Sequence, residues 1–226
     1  MTKSVVIIPS RLAATRLPNK PLIKVKDKSL IMHVYERAIN SQVGEVYVAT
    51  CDKEIASEVK KQGGKYIMTD KLHLTGTDRV YEALQKLDSS KIDMVMNLQG
   101  DEPLMNVDDI KNLHNQMVKN NSRLGTLASK ILDQEVYKNE NTVKVFTKAK
   151  LNDANFPEAI NFSRKILDKS EKIYHHLGIY CYQKDTLEDF VSFNQSPREL
   201  ENKLEQLRAL DNNIKINVAL AKTSPI

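Results

Sequence analysis

Alternation restricts this chain more than any other feature. In the first hundred residues, short apolar runs recur, and a helical pattern follows each one. Residues 5–8, Val-Val-Ile-Ile, form a continuous β-branched stretch, as expected of a strand buried on both faces. From Ser29 onward, Leu30, Ile31, Val34, Tyr35, Ala38 and Ile39 recur at helical spacing, with Ser29 placed to cap them. A second strand is predicted over 46–50. Asp52 can then cap a helix bearing Ile55, Ala56 and Val59, which Gly63-Gly64 ends. Residues 66–68 read as a third strand and 78–87 as a helix with Val80, Leu84 and Leu87 on one face. Residues 94–98 read as a further strand that runs into Gln99-Gly100-Asp101-Glu102-Pro103. Strands alternating with helices predict an α/β fold with a doubly wound, mostly parallel sheet. In such sheets ligands bind outside the carboxyl ends of the strands. The loop after residue 10 and the segment 99–103 should therefore face one cleft.

The second half changes character. Strands are predicted over 125–131, 143–146, 160–163 and 177–182, with an amphipathic helix over 198–210 and a last strand over 214–221. Part of this should extend the sheet, and part, roughly 130–200, should form an antiparallel excursion within one domain spanning 1–226. Hydrophobic residues at 41% and charged residues at 28% allow both a core and a hydrated surface. No run of about 18 apolar residues is present, and the N-terminus lacks a signal-peptide pattern. The two cysteines, Cys51 and Cys181, have no metal-ligand spacing. These features predict a reduced, cytoplasmic protein without a membrane partner. The net charge of +5 comes with dispersed lysines and no tryptophan, which argues against nucleic acid.

Three segments carry chemistry. The loop after the first strand, Ser-Arg-Leu-Ala-Ala-Thr-Arg-Leu-Pro-Asn-Lys-Pro-Leu, places Arg11, Arg16 and Lys20 beside the predicted cleft. Arginine grips phosphate oxygens in a fork and lysine acts as a point charge, so this loop suits a nucleoside triphosphate. It is neither a phosphate-binding Walker loop nor a Gly-x-Gly-x-x-Gly fingerprint. The strand-end Asp101 can hold a hard cation such as Mg²⁺. Asp101 or Glu102 can equally cap the helix after Pro103. In His73-Leu74-Thr75-Gly76-Thr77-Asp78-Arg79, Thr77 or Asp78 is a natural cap. Arg79 in a first helical turn opposes the helix dipole, which points to a separate role in anion or base contact.

Taken in order, Arg-x-x-x-Thr-Arg-Leu-Pro-x-Lys-Pro-Leu, Gly-Thr-Asp-Arg and Asn-Leu-Gln-Gly-Asp-Glu-Pro resemble the family of 3-deoxy-manno-octulosonate (Kdo) cytidylyltransferases. Asn161-Phe162-Ser163-Arg164, His176-Leu177-Gly178-Ile179-Tyr180 and Leu204-Glu205-Gln206-Leu207-Arg208 extend the likeness to about residue 221. The resemblance implies transfer of CMP from CTP to Kdo with release of pyrophosphate, for lipopolysaccharide synthesis, by a Mg²⁺-dependent homodimer. It assigns the triphosphate to Arg11, Arg16 and Lys20, and the nucleotide's surroundings to Thr75, Gly76, Thr77 and Arg79. It assigns the metal to Asp101, and the sugar to Gln99, Arg164, His176, Tyr180, Glu205 and Gln206. Catalysis falls to Arg11, Lys20 and Asp101. Read without the resemblance, His176 is a satisfied histidine, Arg164 a surface cation, and Glu205 and Gln206 the polar face of a helix. The chain departs from the family pattern at Ala14, Leu74 and His175, and in the short stretch between Arg164 and His175. It also lacks the family's C-terminal segment, whose aspartate is a second metal ligand. The rival expectations are a cytidylyltransferase for another acidic sugar such as a sialic acid, and a catalytically impaired binder of CTP or sugar.

Overall fold

The computed structural model describes residues 2–13, 17–166 and 172–222. They form two compact units, 1–111 and 112–226.

In the first unit, β1 (Ser4–Ser10) is almost wholly buried, as its β-branched sequence predicts. The loop after it leads to a hairpin of β2 (Lys24–Val25) and β3 (Lys28–Ser29). Next come α1 (Leu30–Ser41), β4 (Glu45–Thr50), α2 (Lys53–Lys61), β5 (Tyr66–Met68), α3 (Gly76–Gln85) and β6 (Met94–Leu98). The strands lie in the order β6-β1-β4-β5 and every pair is parallel. Winding therefore runs outward from β1 through β4 to β5, then returns to the other side of β1 with β6. Right-handed crossovers put α1 and α2 on one face and α3 on the other. The winding reverses at β1, so the switch point lies between β1 and β6.

The α4 helix (Val107–Asn120) leads into the second unit. There follow β7 (Leu124–Ser129), α5 (Gln134–Lys138), β8 (Lys144–Thr147), β9 (Ala159–Ser163), β10 (Ile173–Gln183), α6 (Lys184–Ser192), α7 (Pro197–Asn202), α8 (Leu207–Asp211) and β11 (Asn217–Leu220). β11 runs parallel to β7, and β7 runs antiparallel to β10. The start of β10 pairs with β8, and β8 with β9, both antiparallel. The expected antiparallel excursion is this β10-β8-β9 group. Gly125 is hemmed in by Met117, Phe156 and Leu113, so α4 lies close against β7: a Cβ there would stand 2.6 Å from the Met117 sulfur.

Several local expectations need correction. The single helix over 198–210 is two short helices. Lys203 is left-handed (φ 53°) and ends α7, and Leu204–Gln206 separate it from α8. Ser29 stands at the N-cap of α1, but its hydroxyl makes no cap bond and is buried without a partner among the described residues. Asp52 precedes α2 without capping it. The cap of α3 is Thr75, in a reciprocal box with Asp78, while Thr77 lies inside the helix. Neither Asp101 nor Glu102 caps α4, which starts only at Val107. Both cysteines are free, and burial pushes the Cys181 thiol up to about 12. No helix among the described residues is long and apolar enough to cross a membrane.

Candidate active site

The candidate site in the first unit is built at the carboxyl ends of β1 and β6. These strands run parallel in register up to Ile7 opposite Asn97, so β6 ends at Leu98 beside Ile8, two residues before β1 ends at Ser10. Two segments then close on Pro9. A Cβ on Gly100 would stand 2.9 Å from the Pro9 carbonyl oxygen, which excludes a side chain there. A Cβ on Gly76, the first residue of α3, would lie 3.6 Å from the Pro9 ring. The opening turn of α3 and the Gln99–Asp101 segment thus both lie against the end of β1.

The loop after β1 is fastened at its start. Asp52, at the end of β4, accepts a hydrogen bond from the Leu12 amide at 2.7 Å. The loop's far end folds into a turn at Asn19, which is left-handed (φ 60°) and precedes the buried Pro21. This turn delivers Lys20, whose ammonium lies 3.0 Å from the Asp101 carboxylate. Both groups remain accessible, at 34% and 54% of their side-chain surface. Arg11 and Gln99 are exposed beside them. Arg16 lies outside the described residues. Glu102 is half-buried, and burial, followed by the charge of Asp101, pushes its carboxyl up to about 7.

α3 is locked in place. Thr77 accepts a 3.1 Å hydrogen bond from the Asn97 side-chain amide, tying the helix to β6. Arg79 is only 3% exposed, and its Nη1 donates to the Thr69 hydroxyl and to the Asp70 carbonyl. One turn later, Glu82 accepts from the Asp70 amide at 2.7 Å and also contacts His73 and Lys86. Burial opposes its ionisation, but Lys86, His73 and that amide hold Glu82 at about 2. Arg79 and Glu82 together brace the loop over 69–75. The awkward placement of Arg79 in a first helical turn is explained by this bracing.

In the second unit, the residues assigned to a sugar divide into two groups. His176 and Tyr180 stand on β10 in an aromatic row. The His176 ring meets Phe162 edge-on at 5.1 Å and Tyr180 at 5.4 Å, and the row continues through Tyr182 to Phe190. The Thr126 hydroxyl donates to the Ile179 carbonyl at 2.7 Å and lies 3.0 Å from His176 Nε2. A hydroxyl has one proton, so this network makes Nε2 the protonated nitrogen and leaves Nδ1 as an acceptor. Burial holds His176 down at about 3, so the ring is neutral. Burial raises the Tyr180 phenol, and the charges of Tyr182 and Glu205 raise it further. Glu205 therefore lies within electrostatic reach of Tyr180.

Glu205 and Gln206 occupy the break between α7 and α8, not the polar face of one helix. A buried fork holds that break: Arg208 donates to both Glu199 oxygens at 2.8 and 2.6 Å and lies over the Phe190 ring. Arg164 follows β9. Ser163 pairs with Lys144 on β8, and Lys144 pairs with His175 on β10. Arg164 thus continues the row that ends next to His176. Its Nη1 donates to the carbonyls of Glu140 and Asn141 at 3.4 and 3.2 Å. Sequence reasoning missed the supporting groups Asp52, Asn97, Thr126 and Lys144. Their roles lie in contacts to residues far along the chain, which no local pattern reports.

Comparison with known proteins gives the family. Residues 5–216 match the family described as Cytidylyltransferase. A 3-deoxy-manno-octulosonate cytidylyltransferase of Brucella canis is 39% identical over 99% of this chain and 90% of its own length. The chain is a member of the 3-deoxy-manno-octulosonate cytidylyltransferase family. A relative of the same description from Paramagnetospirillum magneticum is 37% identical, covering 98% of this chain and 91% of its own. Among solved structures, a CMP:2-keto-3-deoxy-manno-octonic acid synthetase complexed with CTP is 35% identical. It covers 97% of this chain and 90% of its own, with a TM-score of 0.87. A UTP-bound UGPase from Acinetobacter baumannii, 12% identical with a TM-score of 0.68, shares the fold. Kdo cytidylyltransferase membership thus rests on nearly the whole chain.

Proposed function

We propose that this protein transfers CMP from CTP to Kdo and releases pyrophosphate. The observation that carries the reading is the Lys20–Asp101 pair, 3.0 Å apart at the adjoining ends of β1 and β6. A lysine and an aspartate, both partly exposed, stand together there, at the switch point where a doubly wound sheet takes its ligand. Family membership supplies the donor, the acceptor and the direction.

Arg11, Arg16 and Lys20 bind the triphosphate, with Lys20 leaving Asp101 for a phosphate oxygen when the nucleotide arrives. The ordered start of α3 at Thr75, Gly76 and Thr77 walls the nucleotide, held in position by Arg79. Oxygen ligands suit a hard divalent ion. Asp101, with Glu102 adjacent, gives such a donor set, so Mg²⁺ fits here with Asp101 as ligand. When bound, it neutralises charge on the α-phosphate and the departing pyrophosphate. The family resemblance assigns the orientation of Kdo to Gln99, Arg164, His176, Tyr180, Glu205 and Gln206. The Kdo hydroxyl oxygen forms a bond to the α-phosphorus as the bond to the β-phosphate oxygen breaks. The electron pair leaves with pyrophosphate and the hydroxyl proton passes to solvent. The chain's contribution is positioning and charge compensation. The reading further places the protein as a homodimer in the cytoplasm, supplying lipopolysaccharide synthesis.

The test is pyrophosphate release from CTP with Kdo present or withheld. Kdo-dependent release is expected, with Asp101→Ala lower by on the order of 10²-fold or more. Release that ignores Kdo, or a sialic acid outperforming it, would overturn the reading.

A further inference from the structure

Lys144 opens β8 and is wholly buried, with 0% of its surface exposed. Its ammonium donates to three backbone carbonyls: Asn139 at 2.6 Å, Thr142 at 3.0 Å and Arg164 at 3.0 Å. Three protons meet three acceptors, so its donor capacity is used on main chain. Two of the carbonyls belong to the turn before β8. The Thr142 hydroxyl tightens that turn further: it lies 2.9 Å from the Val136 carbonyl and 2.8 Å from the Asn139 carbonyl, and its one proton is donated between them. The third carbonyl belongs to the residue that follows β9.

Arg164 is thereby held at both ends. Its main-chain carbonyl rests on the Lys144 ammonium. Its Nη1 rests on the carbonyls of Glu140 and Asn141, in the turn that Lys144 organises. Its Nε and Nη2 make no hydrogen bond to the described residues. The free side of the guanidinium is thus a forked donor matched to a carboxylate.

Packing alone does not call for this arrangement. An ammonium taken out of water loses hydration worth several kcal/mol. Every hydrogen bond that Lys144 makes to the described residues ends on a neutral carbonyl. A methionine would fill the same straight volume but would take the donor from these three carbonyls. Burial lowers the pKa of Lys144, and the charge of Arg164 lowers it further against the opposing pull of Glu140. A cation retained under those conditions has a task other than filling space.

We propose that Lys144 is a positioning residue for sugar binding, which fixes the 139–142 turn and the Arg164 main chain so that the guanidinium presents its fork to the carboxylate of the acidic sugar. This inference rests on the Kdo reading above. The experiment is steady-state kinetics on the wild type, Lys144→Met, Arg164→Ala and the double variant, with KM for Kdo and for CTP measured separately. Lys144→Met should raise KM for Kdo about tenfold, the loss of one well-placed charge-assisted contact, with KM for CTP unchanged. The double variant should be no worse than Arg164→Ala alone. Unchanged KM for Kdo in either single variant would overturn the proposal, as would additive effects. Lys144→Ala with added ethylammonium is the second variant. Recovery of KM for Kdo as the amine enters the three-carbonyl cradle would support the proposal. Failure of both Lys144 variants to fold would make Lys144 a folding residue and overturn it. Wild type without Kdo-dependent turnover would remove the underlying reading and the proposal with it; every other adverse outcome removes the proposal alone.

Discussion

Lys20 and Asp101 each have two partners to choose between. They satisfy each other at 3.0 Å. With nucleotide present, the lysine suits a phosphate and the carboxylate suits a metal. In the proposed reaction, metal and lysine would compete for Asp101 until CTP draws the lysine away. Both groups are partly exposed, so water screens the pair and its worth is at most ~1 kcal/mol. Lys20→Met should then tighten nucleotide-free Mn²⁺ binding by up to about fivefold, measured by electron paramagnetic resonance, while CTP binding weakens. Metal affinity that falls in this variant would show that Lys20 assists the cation and does not compete with it. The same scale explains why site residues were unequally legible. Cations on a loop just after a strand announce a phosphate site. Lys144 at the start of a strand reads as a surface lysine, because nothing nearby in sequence reveals the Arg164 carbonyl it holds. His176 and Tyr180 are assigned to the sugar through family resemblance alone, since a polar residue in a strand carries no mark of its ligand.

The α7–α8 pair shows what decides an element. Leu200, Leu204 and Leu207 keep helical spacing across the break, so periodicity predicts one helix. The structure leaves Leu200 57% exposed while Leu204 is 3% exposed. Continuing α7 would forfeit the Glu199–Arg208 fork, which brings a helix's first turn onto the next helix across the left-handed Lys203. Truncating one partner of a buried pair strands the other's charge. Glu199→Ala should therefore destabilise the protein by ~3–5 kcal/mol, read from urea unfolding. A loss below about 1 kcal/mol would mean that water reaches Arg208. The parallel strands of the first unit were legible for the opposite reason: strands covered on both faces are short apolar runs, and β1, β4 and β6 fell within a residue or two of expectation. In the second unit the strands were legible but their partners were not. β7 pairs with β10 some fifty residues on, and register at that distance is set by packing, not by local pattern.

The whole molecule carries a pH dependence that these sites impose together. Burial holds His114, His175 and His176 below their usual values, His176 at about 3. Unfolded histidines titrate near 6.5. Between those values the unfolded chain binds more protons, so stability is full above about pH 6.5 and is lost as pH falls toward 3. Glu82, held at about 2, adds a loss of the same sign as pH falls below the usual carboxylate range. Glu102, pushed up to about 7, acts in the other direction, its contribution being lost as pH rises from the usual carboxylate value to 7. Three histidines outweigh one carboxyl. Melting temperature should fall as pH drops from 7 to 4, with His176 alone contributing up to ~1.4 kcal/mol per pH unit, and His176→Gln should flatten that limb. A melting temperature level down to pH 4 would contradict the burial of these rings. The sheet order has a consequence of a different kind. β1 is paired on both edges, with β4 and with β6, yet β6 begins only at Met94. At ordinary translation speeds, β1 leaves the ribosome roughly 4–17 s before β6. Through that interval the most apolar strand of the unit has an open edge. Growing chains of this protein are thus exposed to chance pairing with one another on a crowded polysome, and slowing translation would lengthen that exposure.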